Sequence, residues 1–345
     1  MKCSTTAVTN KMKFIIIAFA AFLTLELGAQ DPHFSNYRHS PLSLNPALSG
    51  MYVGGYRASF NYRNQWNILP DPYVTFSAGI DMPIYVRDTK LTAGLLFLND
   101  KSGSPELNVT KVFANFGYHM EFSVHNVGIS FQPGYVMKSI GGDLSLPDQF
   151  NNQTGEFDAS LATSEPLFND AISYLDMNAG LVYGLNLPKF KPKFGIGFFH
   201  LTSPQENFIK DTDKNQLRMR TAIHANFKTF VTDEIFVDPH FYTTGMSGVN
   251  NSIFGSNFGY RFEKGNILEN AFFGISSRNG FSENPDAVIL SLGVGVAGFD
   301  VAIAYDSNVS NLKTGSGKNS SFEFSLLYTA PSSRILKKKI DSERL

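Results

Sequence analysis

The chain has 345 residues, with 29 Lys and Arg against 30 Asp and Glu, so its formal net charge is −1 at pH 7. That balance excludes the basic surface that nucleic acid requires, and no nucleic-acid partner is expected. Charged residues are only 17% while aromatics reach 14%, which excludes a polar disordered chain and suits strands with one apolar face.

Residues 1–29 read as a secretory signal. Lys2, Lys11 and Lys13 form a basic start, 14–25 is an apolar stretch too short to span a bilayer comfortably, and Leu27-Gly28-Ala29 ends in small residues. Cleavage is expected after Ala29. The only cysteine, Cys3, lies before the apolar stretch, so the mature chain has no disulfide and depends on hydrogen bonds and packing. Residues 30–54 carry Pro32, Pro41 and Pro46 and show no alternation. They are expected to form a periplasmic strap or a plug in a lumen.

From residue 55 onward the pattern has period two. Tyr56, Ala58, Phe60, Tyr62, Asn64 and Trp66 share one face of the first segment, and Arg57, Ser59, Asn61, Arg63 and Gln65 share the other. Val74, Phe76, Ala78, Ile80 and Met82 alternate with Thr75, Ser77, Gly79 and Asp81. Far downstream, Val288, Leu290, Leu292, Val294 and Val296 alternate with Ile289, Ser291, Gly293 and Gly295. About fourteen such strands are expected, near 55–67, 73–83, 90–99, 109–120, 126–139, 174–185, 191–200, 217–229, 235–245, 251–262, 267–276, 288–296, 299–305 and 320–328.

A soluble sandwich also alternates, but three features favour a membrane. The strands are long, as a tilted crossing requires. Aromatics (Tyr56, Trp66, Tyr118, Tyr135, Tyr183, Tyr260, Tyr328) stand at segment ends like an interfacial girdle. The links after even strands are short, as at 84–89, 121–125, 231–234, 263–266 and 297–298, while 140–173, 201–216, 277–287 and 306–319 after odd strands are long. No apolar run after the signal is long enough for a transmembrane helix, and only a closed barrel satisfies backbone in lipid. The expectation is an all-β fold: a transmembrane antiparallel β-barrel in the cell outer membrane, in contact with membrane lipid, with both termini periplasmic.

Four segments follow: signal 1–29, strap or plug 30–54, barrel 55–328 and a basic periplasmic tail 329–345. In the tail, Lys337, Lys338 and Lys339 are a candidate periplasmic contact with a protein or an acidic envelope polymer.

Chemistry is harder to find. Arg57, Arg63, Asp81, His119, Lys138, Asp176, Arg218, Arg220, His224, Lys228, Arg261, Asp300 and Glu323 fall on inward faces, where mutual pairing is the plain reading and a selectivity filter or substrate path the sharper one. Asp211 to Asn215 begins like a calcium loop, but Gln216 and Ala222 stand where glycine and glutamate are needed. Asp306-Ser307-Asn308 reads as an Asx turn at a strand end. His33 and His39 lack compelling metal-ligand spacing. No nucleophile elbow or phosphate loop occurs, so no enzyme activity, metal or cofactor is expected.

Several blocks point to one family. They are Gln30-Asp31-Pro32-His33-Phe34-Ser35-Asn36-Tyr37, Pro41-Leu42-Ser43-Leu44-Asn45-Pro46-Ala47 with Gly50, and Tyr62-Arg63-Asn64-Gln65-Trp66. At the far end stand Ala304-Tyr305-Asp306-Ser307-Asn308-Val309-Ser310 and Phe322-Glu323-Phe324-Ser325-Leu326. In these residues the chain resembles the PorP/SprF family of type IX secretion and gliding-motility membrane proteins of the Bacteroidetes. The tail departs from the short cysteine-bearing end common in that family, so no tail contact is carried over.

The resemblance implies an outer-membrane accessory barrel that helps cargo such as adhesins reach or attach to the surface, with type IX secretion components and secreted cargo as partners. The alternative is a porin or hydrophobic-solute transporter. Asn45, Pro46, Arg63, Gln65, Asp306 and Glu323 are candidate lumen or partner contacts, and Tyr62 and Trp66 candidate interfacial anchors. Arg63 and Gln65 are expected either to hold the N-terminal segment or a cargo tail, or to pair with lumen carboxylates such as Asp81.

Overall fold

The computed structural model describes residues 31–66, 72–103, 107–141, 149–151, 154–158, 161, 171–208, 215–263, 265–280, 285–309 and 320–332. The expected signal and Lys337 to Lys339 lie outside these residues, as do Asp211 to Lys214.

A closed antiparallel barrel of fourteen strands accounts for most of the chain. In chain order its strands are β1 (Arg57–Gln65), β2 (Tyr73–Val86), β3 (Thr89–Ser102), β4 (Leu107–Phe122), β5 (His125–Ile140), β8 (Ala171–Leu185), β9 (Phe190–Phe199), β10 (Arg220–Phe230), β11 (Ile235–Met246), β12 (Val249–Arg261), β13 (Leu268–Asn279), β14 (Pro285–Val296), β15 (Phe299–Asn308) and β16 (Ser320–Thr329). The remaining pair, β6 (Phe150–Asn151) and β7 (Glu156–Phe157), forms a small hairpin within the link expected to be a loop. Each barrel strand pairs with its chain neighbour, and β1 pairs with β16 to close the ring.

The faces are those of a membrane barrel, the inverse of a soluble protein. Outward residues are apolar and exposed: Leu175 is 72% exposed and Leu292 53%. Inward residues are polar and buried: Asn61, Asn115, Gln132, Asp176 and Glu323 are all 0% exposed. Burial of this kind requires partners, since an unpaired polar group away from water costs roughly 1–3 kcal/mol. Among the described residues, no helix is long and apolar enough to cross a membrane.

Tight turns set one end of the barrel. Ala297 and Gly298 both have positive φ (50° and 82°) and join β14 to β15, the backbone that twisted hairpins favour. This turn end also carries the start of β1 and the end of β16, where Arg57 is opposite Thr329. The long links lie at the other, loop end. Not every loop-end link is long: β3 ends at Ser102 and β4 begins at Leu107, and Ser247 (φ 53°) and Gly248 (φ 81°) join β11 to β12 by the same tight turn.

Several strands extend further toward the loop end than the sequence pattern indicates. The Asx-turn reading of Asp306 is overturned: β15 continues to Asn308, and Asp306 is an inward residue at 2% exposure. Arg278 likewise lies on β13 and not in a loop. Arg218 precedes β10 and is exposed, and Arg261 closes β12 at the turn end, also exposed.

Candidate functional site

The N-terminal segment is a plug. It descends the lumen from Pro32 at the loop end to Met51 at the turn end, then joins β1. Three short turns shape it: a 3-10 turn Tyr37–His39, an α-turn Pro41–Leu44 and a 3-10 turn Pro46–Leu48. Pro41 and Pro46 start two of these turns, where a missing N–H leaves no helical bond unmade. Tyr37, Leu44, Ala47, Leu48 and Met51 are buried against Val182, Phe199, Ala222, Tyr242, Ile253, Ile289 and Ala304 of the wall. Leu42 packs against Leu96, Val109, Phe113 and Val136 on the far side.

Asn45 ties the middle of the plug. Its Oδ1 accepts the Ala47 N–H at 2.9 Å, and its Nδ2 donates to the Leu181 carbonyl at 3.1 Å and sits 3.1 Å from His224 Nε2. The wall beside it is stripped of side chains. A Cβ on Gly180 would lie 2.0 Å from Asn45 Oδ1, and one on Gly195 would lie 2.7 Å from Asn45 Nδ2. Glycine at these inward positions of β8 and β9 makes the room the plug occupies. Pro46 is buried beside Ala47, and its carbonyl accepts the Ser49 N–H at 3.2 Å.

A second knot closes the loop end. Arg63 on β1 pairs with Glu323 on β16 and with Asp306 on β15 at 3.1 Å. Arg278 on β13 reaches Asp306 at 2.6 Å and Asp286 at 2.8 Å. The plug enters this knot through Ser35. Its Oγ donates to Asp306 Oδ2 at 2.6 Å and accepts from Arg63 at 2.6 Å, while its N–H and that of Asn36 donate to the two Glu323 oxygens at 2.6 and 2.8 Å. Two arginines and two carboxylates are thus charge-paired at almost no exposure, the condition under which buried charge is tolerated. Gln65 accepts from Arg63 at 3.2 and 3.3 Å and orients it.

Further bonds pin the plug round the wall. Arg38 pairs with Asp238 at 2.5 Å, Arg57 donates to the Leu48 carbonyl at 2.9 Å, and Gly50 N–H donates to Asp81 at 2.7 Å. Asn61 donates to the His39 carbonyl and Gln132 to the Leu42 carbonyl, at 3.1 and 3.2 Å. Tyr37 stacks on Tyr242 with centroids 4.8 Å apart. Asp81 is therefore the partner of Arg57, at 3.0 Å, and not of Arg63.

The candidate residues divide accordingly. Arg63, Gln65, Asp306 and Glu323 come together in one knot, and Asn45 and Pro46 sit in another. Tyr62 lies on the outward face of β1 between Phe76 and Phe324 as Cα partners. Trp66 follows β1 at φ 59°, donates its N–H to the Ser320 carbonyl and sets its ring edge-on to Tyr73 at 4.9 Å. Arg278, Gly180 and Gly195 are not among the sequence candidates, and Ser35 figures there only within a family block; the inward parity of β13 finds Arg278 once that strand is carried to Asn279.

His33 and His39 face different walls. His33 Nε2 lies 3.0 Å from Asn251 Nδ2, and His39 stacks on Phe272. Burial lowers both, His33 to about 3 with Arg63 and Arg278 adding to the effect, and His39 to about 4 with Arg38 adding to it. Burial also raises the Tyr37 hydroxyl. Among the described residues, no group of three metal-binding side chains converges.

The family model described as type IX secretion system membrane protein PorP/SprF matches residues 26–328. None of the curated proteins compared with the chain matches it. Similar solved structures include the Ralstonia pickettii toluene transporter TbuX, with TM-score 0.50 and 11% identity over 88% of this chain and 96% of that one. The P. putida toluene transporter TodX aligns with TM-score 0.52 and 10% identity over 84% and 93% of the two chains. At such identities the likeness shows the outer-membrane barrel fold alone.

Proposed function

The chain belongs to the PorP/SprF family of type IX secretion system membrane proteins, and from that premise we propose that it is a sealed accessory barrel of the outer membrane. In this reading it assists the export or surface attachment of cargo such as adhesins and passes neither cargo nor solute through its lumen. The turn end faces the periplasm and the loops face outward, as in barrels with short inner turns. Lipid surrounds the apolar wall, secretion components approach from the turn end, and cargo is met at the loop end.

One observation carries this reading: the plug is buried along most of its length and locked at both ends by hydrogen bonds to ion-paired residues of the wall. A pore needs a wet path, and a plug held by Glu323, Asp306, Asn45 and Asp81 stands across it. A solute transporter of this fold would have to release those contacts in each cycle.

Conductance tests the proposal. The wild-type barrel in a planar bilayer should remain closed, and removal of residues 32–50 should open it. In cells, the same deletion should leave the barrel inserted while lowering surface cargo. Ready conductance of the wild type, or normal cargo display with growth on hydrophobic solutes lost, would favour the transporter.

A further inference from the structure

Among the described residues a pattern recurs in the lumen, in which charged side chains reach a partner of opposite sign. Arg38 with Asp238, Arg57 with Asp81, Arg63 with Asp306 and Glu323, Lys90 with Glu121, Lys138 with Glu206 and Arg278 with Asp286 all obey it. Among the described residues, three lysines without such a partner stand together on one wall, and Asp300 on β15, bonded to Asn270, has no ion pair either. Lys191 and Lys193 lie on β9, and Lys228 lies on β10, where Lys191 and Lys228 are direct cross-strand partners. Lys193 continues the same inward row as Gly195, whose Cβ would meet the plug residue Asn45.

Like charges set directly opposite one another oppose strand pairing. Among the described residues, none of the three has a carboxylate within ion-pair distance. Asp238 is taken by Arg38, and Asp300 acts on Lys228 only from farther off. What the Lys191 and Lys228 ammonium groups meet is aromatic: Lys228 sits 4.0 Å from the Phe236 ring centroid and 5.6 Å from that of Phe230, which Lys191 approaches at 5.8 Å. Arg261 covers Phe230 at 4.5 Å from the rim. The result is a cationic, ring-backed vestibule at the turn end, below the plug.

We propose that the vestibule built by Lys191, Lys193 and Lys228 binds an acidic, extended segment of another polypeptide entering from the turn end. The spacing favours a peptide over a compact phosphate. Lys191 and Lys193 are two residues apart on one strand, about 7 Å, the repeat of alternate side chains in an extended chain. Acidic residues at every second position can meet both in register, with Lys228 across from the first. A phosphate asks instead for donors that converge on one point, and Lys191 and Lys193 are spaced along the strand. The chain's own basic tail, with Arg334 and Lys337 to Lys339, has the wrong sign to fill the site. This site does not depend on whether the barrel is an accessory or a transporter.

The probe is a fluorescein-labelled ten-residue peptide alternating Glu and Ser, titrated against the detergent-solubilised full barrel and followed by polarisation. Binding should weaken steeply with added salt and fall about tenfold or more when the peptide's Glu residues are replaced by Gln. The Lys191→Gln, Lys193→Gln, Lys228→Gln triple variant should lose binding to a similar extent, and the matching triple Arg variant should keep it. Heat-modified gel migration reports whether each variant is a folded barrel. The peptide comparison needs only wild-type protein, so a misfolded variant does not spare the proposal. Equal binding of the Glu and Gln peptides, or unchanged affinity in a folded triple Gln variant, overturns it. Displacement of the peptide by inorganic phosphate at constant ionic strength overturns it also, in favour of a phosphate site.

Discussion

Arg63 on the first strand and Glu323 on the last are direct partners across the seam that closes the barrel, and their side chains pair inside the lumen. The same carboxylate accepts two N–H groups of the plug. Seam closure and plug seating therefore share one residue, and the chain's two ends are joined through it.

Replacing Glu323 with Ala leaves Arg63 short of one carboxylate and the Ser35 and Asn36 N–H groups without acceptors. Breaking a buried pair from one side typically costs about 3–5 kcal/mol. Heat-modified gel migration should show a lowered unfolding temperature for Glu323→Ala and for Arg63→Ala. Glu323→Gln should fall between, since the amide keeps one acceptor. The Arg63→Met, Glu323→Leu double variant should be less destabilised than the sum of the singles, because neither leaves a lone charge. Additive losses would show that the two residues act separately.

Gly180 gives a complementary test that leaves every polar group in place. Its missing Cβ makes room for Asn45, so Gly180→Val should push the plug off the β8 wall while the outward face of that strand stays intact. The expected outcome is a folded barrel whose plug is cut by added protease and whose conductance rises. Asn45→Ala should act in the same direction more weakly, by about 1–2 kcal/mol for its lost cap and wall bonds. A Gly180→Val barrel with a protected plug would mean that the wall yields instead.

How much of this was legible depended on whether the signal was local. Period-two alternation is local, so each expected strand segment is present in the barrel, and the faces of β1, β2 and β14 follow the predicted parity. Strand ends were less legible, because polar residues such as Ser277 and Ser307 continue a strand above the lipid where hydropathy no longer marks it. That is why Asp306 resembled a turn and Arg278 went unread. Partner choice was not legible at all. Arg63 and Asp81 both face inward, but only the shear of the closed ring sets Arg57 beside Asp81 and Arg63 beside Glu323. The glycines facing Asn45 resembled generic strand glycines until the plug was in place.

Acid should loosen the plug. His33 and His39 are held to about 3 and about 4 when the plug is seated, against an ordinary value of 6.5. A released plug takes up those protons below pH 6.5, and a seated one does not. Both histidines' contribution to seating is therefore full above about pH 6.5 and falls as pH drops toward 4. Protease cleavage of the plug should be faster at pH 5 than at pH 8 in otherwise intact barrels. The His33→Gln, His39→Gln variant should lose most of that difference. A pH dependence identical in variant and wild type would assign the effect to other groups.

The exterior wall offers the sharpest separation of membrane barrel from soluble barrel. Leu292 lies near the middle of β14, faces outward and is 53% exposed, while its neighbour Ser291 faces the lumen and is buried. In water, Leu292→Arg would be harmless, since an exposed charge is solvated. In a bilayer, Arg near the midplane of a barrel wall costs about 2–4 kcal/mol. Equilibrium unfolding in lipid vesicles should show that loss for Leu292→Arg. The same substitution at Val86, beside the β2–β3 turn and 53% exposed, should cost close to nothing, because it sits at the interface where the side chain reaches water. Equal, negligible costs at both positions would remove the lipid from around this wall.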